Sequence, residues 1–160
     1  MTLAAHKAHA RVGTVRLAGV AGAPGPGVVL AIPLSFMNLS GGPVAALAKY
    51  FSVEPRDVIV VHDDIDLPLG IVKIKRGGGE GGHNGLKDVT RALGIRDYVR
   101  VRGGVGRPPG HMDAADYVLR PFSAKERADA EWMIGVAADA VEAIVLIGLE
   151  AAQQKFHSAD

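Results

Sequence analysis

The chain has 160 residues, of which 48% are hydrophobic, a formal net charge of +1 and no cysteine. Length and apolar content predict one globular domain over residues 1–160, and the absence of cysteine excludes disulfides, thiolate metal sites and a thiol nucleophile. With so small a net charge, any affinity for nucleic acid must come from a local basic patch. The longest apolar run is interrupted by Asp139 and Glu142, and no signal-peptide pattern is present, so we expect a cytoplasmic protein without a membrane span.

Strand and helix signals alternate along the first half of the chain. The predicted elements are a strand over 11–17, a loop over 19–27, a strand over 28–32, a helix from Ser40 to about Phe51 and a strand over 58–61. Ser40 is the expected N-cap, because its hydroxyl can accept from the free N–H groups of the first turn. The β-branched run 58–61 is typical of a strand buried on both faces.

The second half continues the alternation, which predicts an α/β fold. Its predicted elements are a strand over 71–75, a helix over 86–93 ended by Gly94, a strand over 98–102 and a long helix from the capping box Ser123–Glu126 to about Ala152. Side chains alternate between the two faces of a strand. Lys73 and Lys75 are therefore expected on one face of their strand, and Arg100 and Arg102 on one face of theirs.

A glycine-rich loop separates the first of these basic strands from the helix that follows it. Six glycines fall within residues 77–85, which ends on His83-Asn84-Gly85 before the predicted helix. Glycine allows positive φ and close approach to a ligand, and helix starts readily bind phosphates and carbonyl oxygens. The loop lacks the G-K-[ST] of a Walker A motif and does not match the dinucleotide fingerprint. A flexible connection, with Asn84 as a helix cap, is the alternative.

An acidic string follows the predicted strand 58–61. It reads His62-Asp63-Asp64-Ile65-Asp66, with Asp63 at the carboxyl end of the strand, where ligand crevices open in α/β sheets. A carboxylate there can orient a histidine that acts as general base, or it can bind a metal. A solvated acidic turn is the alternative. Because neighbouring strand residues point to opposite faces and no second cluster completes the site, we expect no metal.

Two further groups of residues are candidates for binding. Asn38, with Phe36 beside it, precedes the first predicted helix and can bind either nearby backbone or a substrate amide or ribose. The basic pairs on the two strands can form a phosphate clamp that does not read bases, or an ordinary charged edge.

Together these motifs resemble bacterial peptidyl-tRNA hydrolase in order and spacing. The segments that carry the resemblance are Phe36-Met37-Asn38-Leu39-Ser40-Gly41, His62-Asp63-Asp64-Ile65-Asp66-Leu67-Pro68, residues 77–87 and residues 100–108. The resemblance implies a single α/β domain with a mixed, mostly parallel sheet flanked by helices. It implies hydrolysis of the ester between a peptide, or an N-blocked amino acid, and the terminal ribose of tRNA, by a monomer that needs no metal or organic cofactor.

The resemblance also implies a role for each candidate residue. Asp63 would orient and stabilise the catalytic histidine, and Asn38 and Asn84 would hold the peptide backbone and the attacking water or developing oxyanion. The remaining binding residues would line the substrate crevice (Phe36), shape its rim (His83) and clamp tRNA phosphate (Lys75 and Arg102, with Lys73 beside them).

One part of the family pattern does not occur in this sequence. The G-x-G-N-P-G and T-R-H-N motifs, the second of which carries the general-base histidine, are missing. We therefore expect a chain that is N-terminally truncated relative to the family and weakly active or inactive. Two alternatives stay open: a metal-dependent phosphohydrolase that uses residues 62–66, and a tRNA-binding relic that keeps the phosphate clamp without the base.

Overall fold

The protein is described here by a computed structural model, in which residues 2–157 form six strands and five helices. The chain divides into two compact units. The first comprises the residues up to Val58 together with Gly77–Tyr98, and the second comprises Ile59–Arg76 together with the residues from Val99 onward. Within residues 2–157, no helix has the length and apolar character needed to cross a membrane.

The first unit contains an antiparallel sheet and two helices. Its elements are β1 (Ala4–His6), β2 (Ala10–Ala18), β3 (Pro24–Pro33), α1 (Gly41–Tyr50) and α2 (Asn84–Leu93), and the strand order is β1-β2-β3. The strand predicted over 28–32 begins earlier than expected, since Ala18 of β2 already pairs with Pro24. Proline is tolerated there because the first residue of a strand need not donate to the ladder.

The start of α1 lies where the sequence predicts it, but its cap differs. The Ser40 hydroxyl donates to the carbonyl of Met37 at 2.6 Å and makes no bond to the first turn of α1. The Gly41 N–H instead donates to Oδ2 of Asp88, a residue of α2, at 2.8 Å. The prediction that Ser40 caps this helix through its side chain is therefore wrong, because a carboxylate from another helix occupies that role.

The second unit contains a mixed sheet covered by helices. Its elements are β4 (Ile59–Asp64), β5 (Val72–Arg76), β6 (Val99–Gly104), α3 (Ala114–Leu119), α4 (Arg127–Ile147) and α5 (Leu149–His157). The central strand β6 pairs with β4 in parallel and with β5 antiparallel. The core of the unit consists of apolar residues from the sheet and from α4, namely Val72, Ile74, Val99, Val101, Met133, Ala137 and Ala140.

Two expectations about this unit need correction. Strand β4 is not buried on both faces: Val61 is 55% exposed, and among the described residues β4 pairs with β6 alone, so it lies at an edge of the sheet. The single long helix is two helices, because Gly148 has φ 87 and ends α4. The capping box itself is confirmed by reciprocal bonds between Ser123 and Glu126.

The α/β class with a mixed sheet flanked by helices is confirmed. Parallel pairing is less common than predicted, since among the described strands only β4 and β6 pair in parallel while the other three pairings are antiparallel. The reason is local: β1, β2 and β3 follow one another through short connections, which join antiparallel neighbours. The single domain over residues 1–160 stays a prediction.

Helix α5 covers the outer edge of β5 with side-chain hydrogen bonds. The Ile74 N–H donates to Nε2 of His157, and Nε2 of Gln153 donates to the Ile74 carbonyl, both at 3.0 Å. These two side chains satisfy backbone groups that an edge strand otherwise offers to another chain. The His157 ring must be neutral at Nε2 to accept this bond.

Acid should therefore weaken the folded state through His157. Burial, together with the positive charges of Lys73 and Arg102, lowers the pKa of His157 below its ordinary 6.5. As the pH falls through 6.5, the unfolded chain takes up this proton before the folded chain does, so the contribution is complete above that pH and is lost below it. We expect the free energy of unfolding, measured in urea between pH 7.5 and 5, to fall more steeply for the wild type than for His157→Gln. Equal slopes would contradict this role.

Candidate active site

In the first unit, the structure brings the segments of the two predicted asparagines together. Asn38 lies in a 3₁₀ turn, Met37–Leu39, which packs against α2, and Asn84 is the first residue of α2. The approach is close at Gly85, where a Cβ atom would lie 3.1 Å from the Met37 carbonyl oxygen. Both asparagine side chains are exposed, so their amides can donate to and accept from a bound molecule.

The glycine loop has the backbone that the sequence predicts, and His83 ends it. Four of its glycines have positive φ, between 60° and 92°: Gly77, Gly78, Gly81 and Gly82. Nδ1 of His83 accepts from the Leu86 N–H at 3.1 Å, so His83, and not Asn84, is the side-chain cap of α2. Since His83 supplies the cap, the Asn84 side chain is not needed for it. Phe36, in the same unit, is 82% exposed.

In the second unit, Asp63 lies next to the last residue of β4, as predicted. It is half-buried, and its Cα partner on the parallel strand β6 is Gly103. Its backbone oxygen lies 2.7 Å from Nδ1 of His62. The carboxyl end of a parallel strand pair is the position from which α/β proteins present catalytic side chains.

The predicted basic pairs form one cluster, because the register of β5 and β6 sets them opposite one another. Lys73 faces Arg102 and Lys75 faces Arg100 across the antiparallel ladder. Directly paired residues project to the same side of a sheet, so all four lie on one face. Arg100, however, is 0% exposed, so Arg102, and not Arg100, is the arginine of this pair that can bind phosphate. Lys73, Lys75 and Arg102 are the half-buried members that can reach a phosphate.

Asp64 is the negative partner of this cluster, whereas the sequence indicated it only as a member of the acidic string. Nε of Arg102 donates to Oδ2 of Asp64 at 2.9 Å, and the Asp66 N–H donates to Oδ1 at 2.8 Å. Burial opposes ionisation of Asp64, but these two hydrogen bonds and the charge of Arg102 outweigh it and lower the pKa of the carboxyl. Burial, followed by the charges of Arg102 and Arg100, lowers the pKa of Lys75, and Asp64 opposes that shift.

The same ion pairs argue against the acidic string as a metal site. Asp64 is bound by Arg102, and Asp66 forms an ion pair with Arg107. An arginine on each of these two carboxylates competes with a cation for the same oxygens. In the part of the chain that the structure describes, no three histidine or acidic side chains are gathered so that they could hold a metal ion.

Sequence comparison decides the family. The family model described as peptidyl-tRNA hydrolase matches residues 1–160. The chain belongs to the peptidyl-tRNA hydrolase family. The resemblance that rests on four motifs is thereby confirmed.

Individual members of this family are similar to the chain over most of its length. A peptidyl-tRNA hydrolase of Kineococcus radiotolerans is 59% identical over 155 residues, which cover 96% of this chain and 78% of that protein. One of Arthrobacter sp. strain FB24 is 56% identical, with 96% and 77% covered. The crystal structure of peptidyl-tRNA hydrolase from Acinetobacter baumannii superposes with a TM-score of 0.82 at 28% identity, covering 97% of this chain and 76% of that one.

Removing the charge of Asp64 should change the titration of Lys75 in a direction that the geometry sets. Because Asp64 raises the pKa of Lys75 against the two arginines, Asp64→Asn should lower that pKa further. The measurement is the NMR titration of the Lys75 ammonium group. Asp66→Asn is the matched control, since it removes an acid two residues along the chain that pairs with Arg107 instead. A pKa of Lys75 that stays unchanged in Asp64→Asn would refute the interaction between Asp64 and the Lys75 ammonium group.

Proposed function

We propose that the chain hydrolyses the ester bond between a peptide, or an N-blocked amino acid, and the terminal ribose of tRNA. The observation that carries this proposal is the family match over residues 1–160, together with 56–59% identity to proteins named peptidyl-tRNA hydrolase. Arginine pairing of the acidic string does not favour the alternative, a metal-dependent phosphohydrolase. The product tRNA becomes available for recharging.

The proposed chemistry is attack of water on the ester carbonyl. The water oxygen bonds to the carbonyl carbon as a base takes its proton, and the bond from that carbon to the ribose oxygen then breaks. The ribose oxygen leaves with a proton, and the peptide leaves as a carboxylate. Catalysis consists of removing the water proton and stabilising the negative charge that develops on the carbonyl oxygen.

We assign the catalytic roles to three polar side chains. Asn38 and Asn84 hold the peptide backbone and the attacking water or developing oxyanion, since an amide both donates and accepts. Asp63 would orient and stabilise a general-base histidine, as the resemblance implies, and the family motif that carries this histidine does not occur in this sequence. The matched motifs themselves assign no residue to that base, and weak activity stays a prediction.

Substrate binding is assigned to the basic residues of the second unit and to two ring side chains of the first. Lys75 and Arg102, with Lys73 beside them, bind tRNA phosphate without reading bases, because cations on a strand face neutralise phosphate charge at any sequence. Phe36 and His83 contact the peptidyl end of the substrate. We propose that the protein acts as a monomer in the cytoplasm, which size-exclusion chromatography and cell fractionation test.

Loss of the Asp63 charge should slow ester hydrolysis. In a protein extended by the family's G-x-G-N-P-G and T-R-H-N motifs, we expect Asp63→Asn to lower kcat by about 10²-fold, within the range that general-base catalysis contributes, because the histidine of the second motif loses its orienting and stabilising partner. The measurement is release of N-acetyl-amino acid from N-acetyl-aminoacyl-tRNA. Asp66→Asn, a neighbouring carboxylate paired with Arg107, is the control and should keep its rate. An unchanged rate in Asp63→Asn contradicts the assigned role, and activity that is lost with EDTA and restored by metal contradicts the reaction class.

Loss of the clamp should weaken tRNA binding in a salt-dependent way. Lys75→Ala and Arg102→Ala should each weaken binding of all tRNAs alike and reduce the slope of log K against log salt by about 1. Filter binding at several salt concentrations measures this, with Lys125→Ala, an exposed lysine of the same unit outside the cluster, as the control. If the wild type bound tRNA in this salt-dependent way yet hydrolysed no ester, the tRNA-binding relic would be the correct reading. A slope that neither substitution changes would refute the clamp.

A further inference from the structure

The segment that carries Asn38 packs against α2. Ser40 donates from its hydroxyl to the Met37 carbonyl and makes no side-chain cap on α1, so the turn closes on itself. Two close contacts between this segment and α2 lie on either side of Asn38: Met37 meets Gly85, and Gly41 meets Asp88. Both contribute to the position of Asn38 relative to Asn84.

The contact at Gly41 is the stronger of the two. A Cβ atom on Gly41 would lie 2.2 Å from the Asp88 carbonyl oxygen, so the start of α1 lies directly on the backbone of α2. The Gly41 N–H donates to Oδ2 of Asp88 at 2.8 Å. A carboxylate at a helix N-terminus satisfies a free donor and interacts favourably with the helix dipole.

Arg91 holds the other oxygen of the same carboxylate. Its Nε and Nη2 donate to Oδ1 of Asp88 at 3.0 and 2.8 Å, one turn further along α2. The Asp88 side chain is 13% exposed, so both of its oxygens are engaged in a sheltered position. The bonds from Arg91 and from the Gly41 N–H lower the pKa of Asp88 and keep it ionised at neutral pH.

We propose that Asp88 is a positioning residue for the two asparagines: it ties the turn of Asn38 to the helix that begins with Asn84. This inference rests on the proposed function for its consequence in catalysis, though not for its structural content. Asp88 contacts no reacting atom in this account. Asp88 lies on α2, the helix that Asn84 begins. It acts through the main chain at Gly41, three residues beyond Asn38.

The catalytic test separates positioning from general stability. Asp88→Ala should lower kcat for N-acetyl-aminoacyl-tRNA by about 10- to 10²-fold, because displaced catalytic groups lose that much rate, while KM changes by less than about twofold. Asp88→Asn keeps an oxygen that can accept from Gly41 and should recover most of the rate. The matched control is Asp113→Ala, which removes an aspartate that accepts from the Ala115 N–H at the start of α3. It should leave kcat unchanged.

A double-mutant cycle identifies the group through which Asp88 acts. If Asp88 works by placing Asn38, then Asp88→Ala should cost little further rate in an Asn38→Ala background, since coupled residues are not additive. Additive losses would overturn the proposal, as would a normal kcat in folded Asp88→Ala. Circular dichroism establishes that each variant is folded, and Asp88→Asn provides the test if Asp88→Ala is not.

NMR keeps this inference separate from the proposed function. The side-chain amide resonances of Asn38 and Asn84 should both move in Asp88→Ala and stay in place in Asp113→Ala. If the wild type hydrolysed no ester, the proposed function would fail, but these shifts would still decide whether Asp88 holds the two asparagines. Unmoved Asn38 and Asn84 resonances in folded Asp88→Ala would overturn the inference in either case.

Discussion

The pairing of β5 with β6 beneath α4 is the constraint on which the basic cluster of the second unit depends. Val72, Ile74, Val99 and Val101 are buried on one face, where each side chain contributes about 1.5–3 kcal/mol to folding. Since strand residues alternate, burying these four residues necessarily sends their neighbours to the other face. The residues that alternate with them within the two strands are Lys73, Lys75, Arg100 and Arg102, and the antiparallel register sets these directly opposite one another. Packing of an apolar core thus collects four cations in one place.

Such a collection of like charges is unfavourable unless something offsets it, and Asp64 does so. Cross-strand pairs of equal charge repel, and burial followed by the charges of Arg102 and Arg100 lowers the pKa of Lys75. The carboxylate of Asp64 approaches Arg102 to 2.9 Å and is itself held by the Asp66 N–H. One negative group among several positive ones leaves a net positive surface that suits phosphate. The arginines on Asp64 and Asp66 do not favour metal binding by these two carboxylates.

In the first unit, close approach of two backbone segments, rather than a cluster of charges, determines where the candidate residues lie. Gly41 and Gly85 each lie where a side chain would collide with the neighbouring segment, so the turn before α1 can lie on α2. The carboxylate of Asp88 then completes the start of α1, although it is 47 residues away in sequence. As a result Asn38 and Asn84, which are distant along the chain, lie on two segments that pack against each other. Positive-φ glycines set the path of the loop that leads to them.

Local patterns were sufficient to predict most elements and the motifs of the family. Alternation predicted β5 and β6 and placed Lys73 with Lys75, and Gly94 marked the end of α2, because these signals depend on neighbouring residues alone. The capping box at Ser123 forms, but α4 itself begins at Arg127. Other features depended on partners distant in sequence. Burial of Arg100, exposure of Val61 and the cap that Asp88 provides for α1 all follow from which strand or helix lies alongside. Only tertiary packing decides those contacts, since no periodicity in the chain encodes which distant residue fills a neighbouring position.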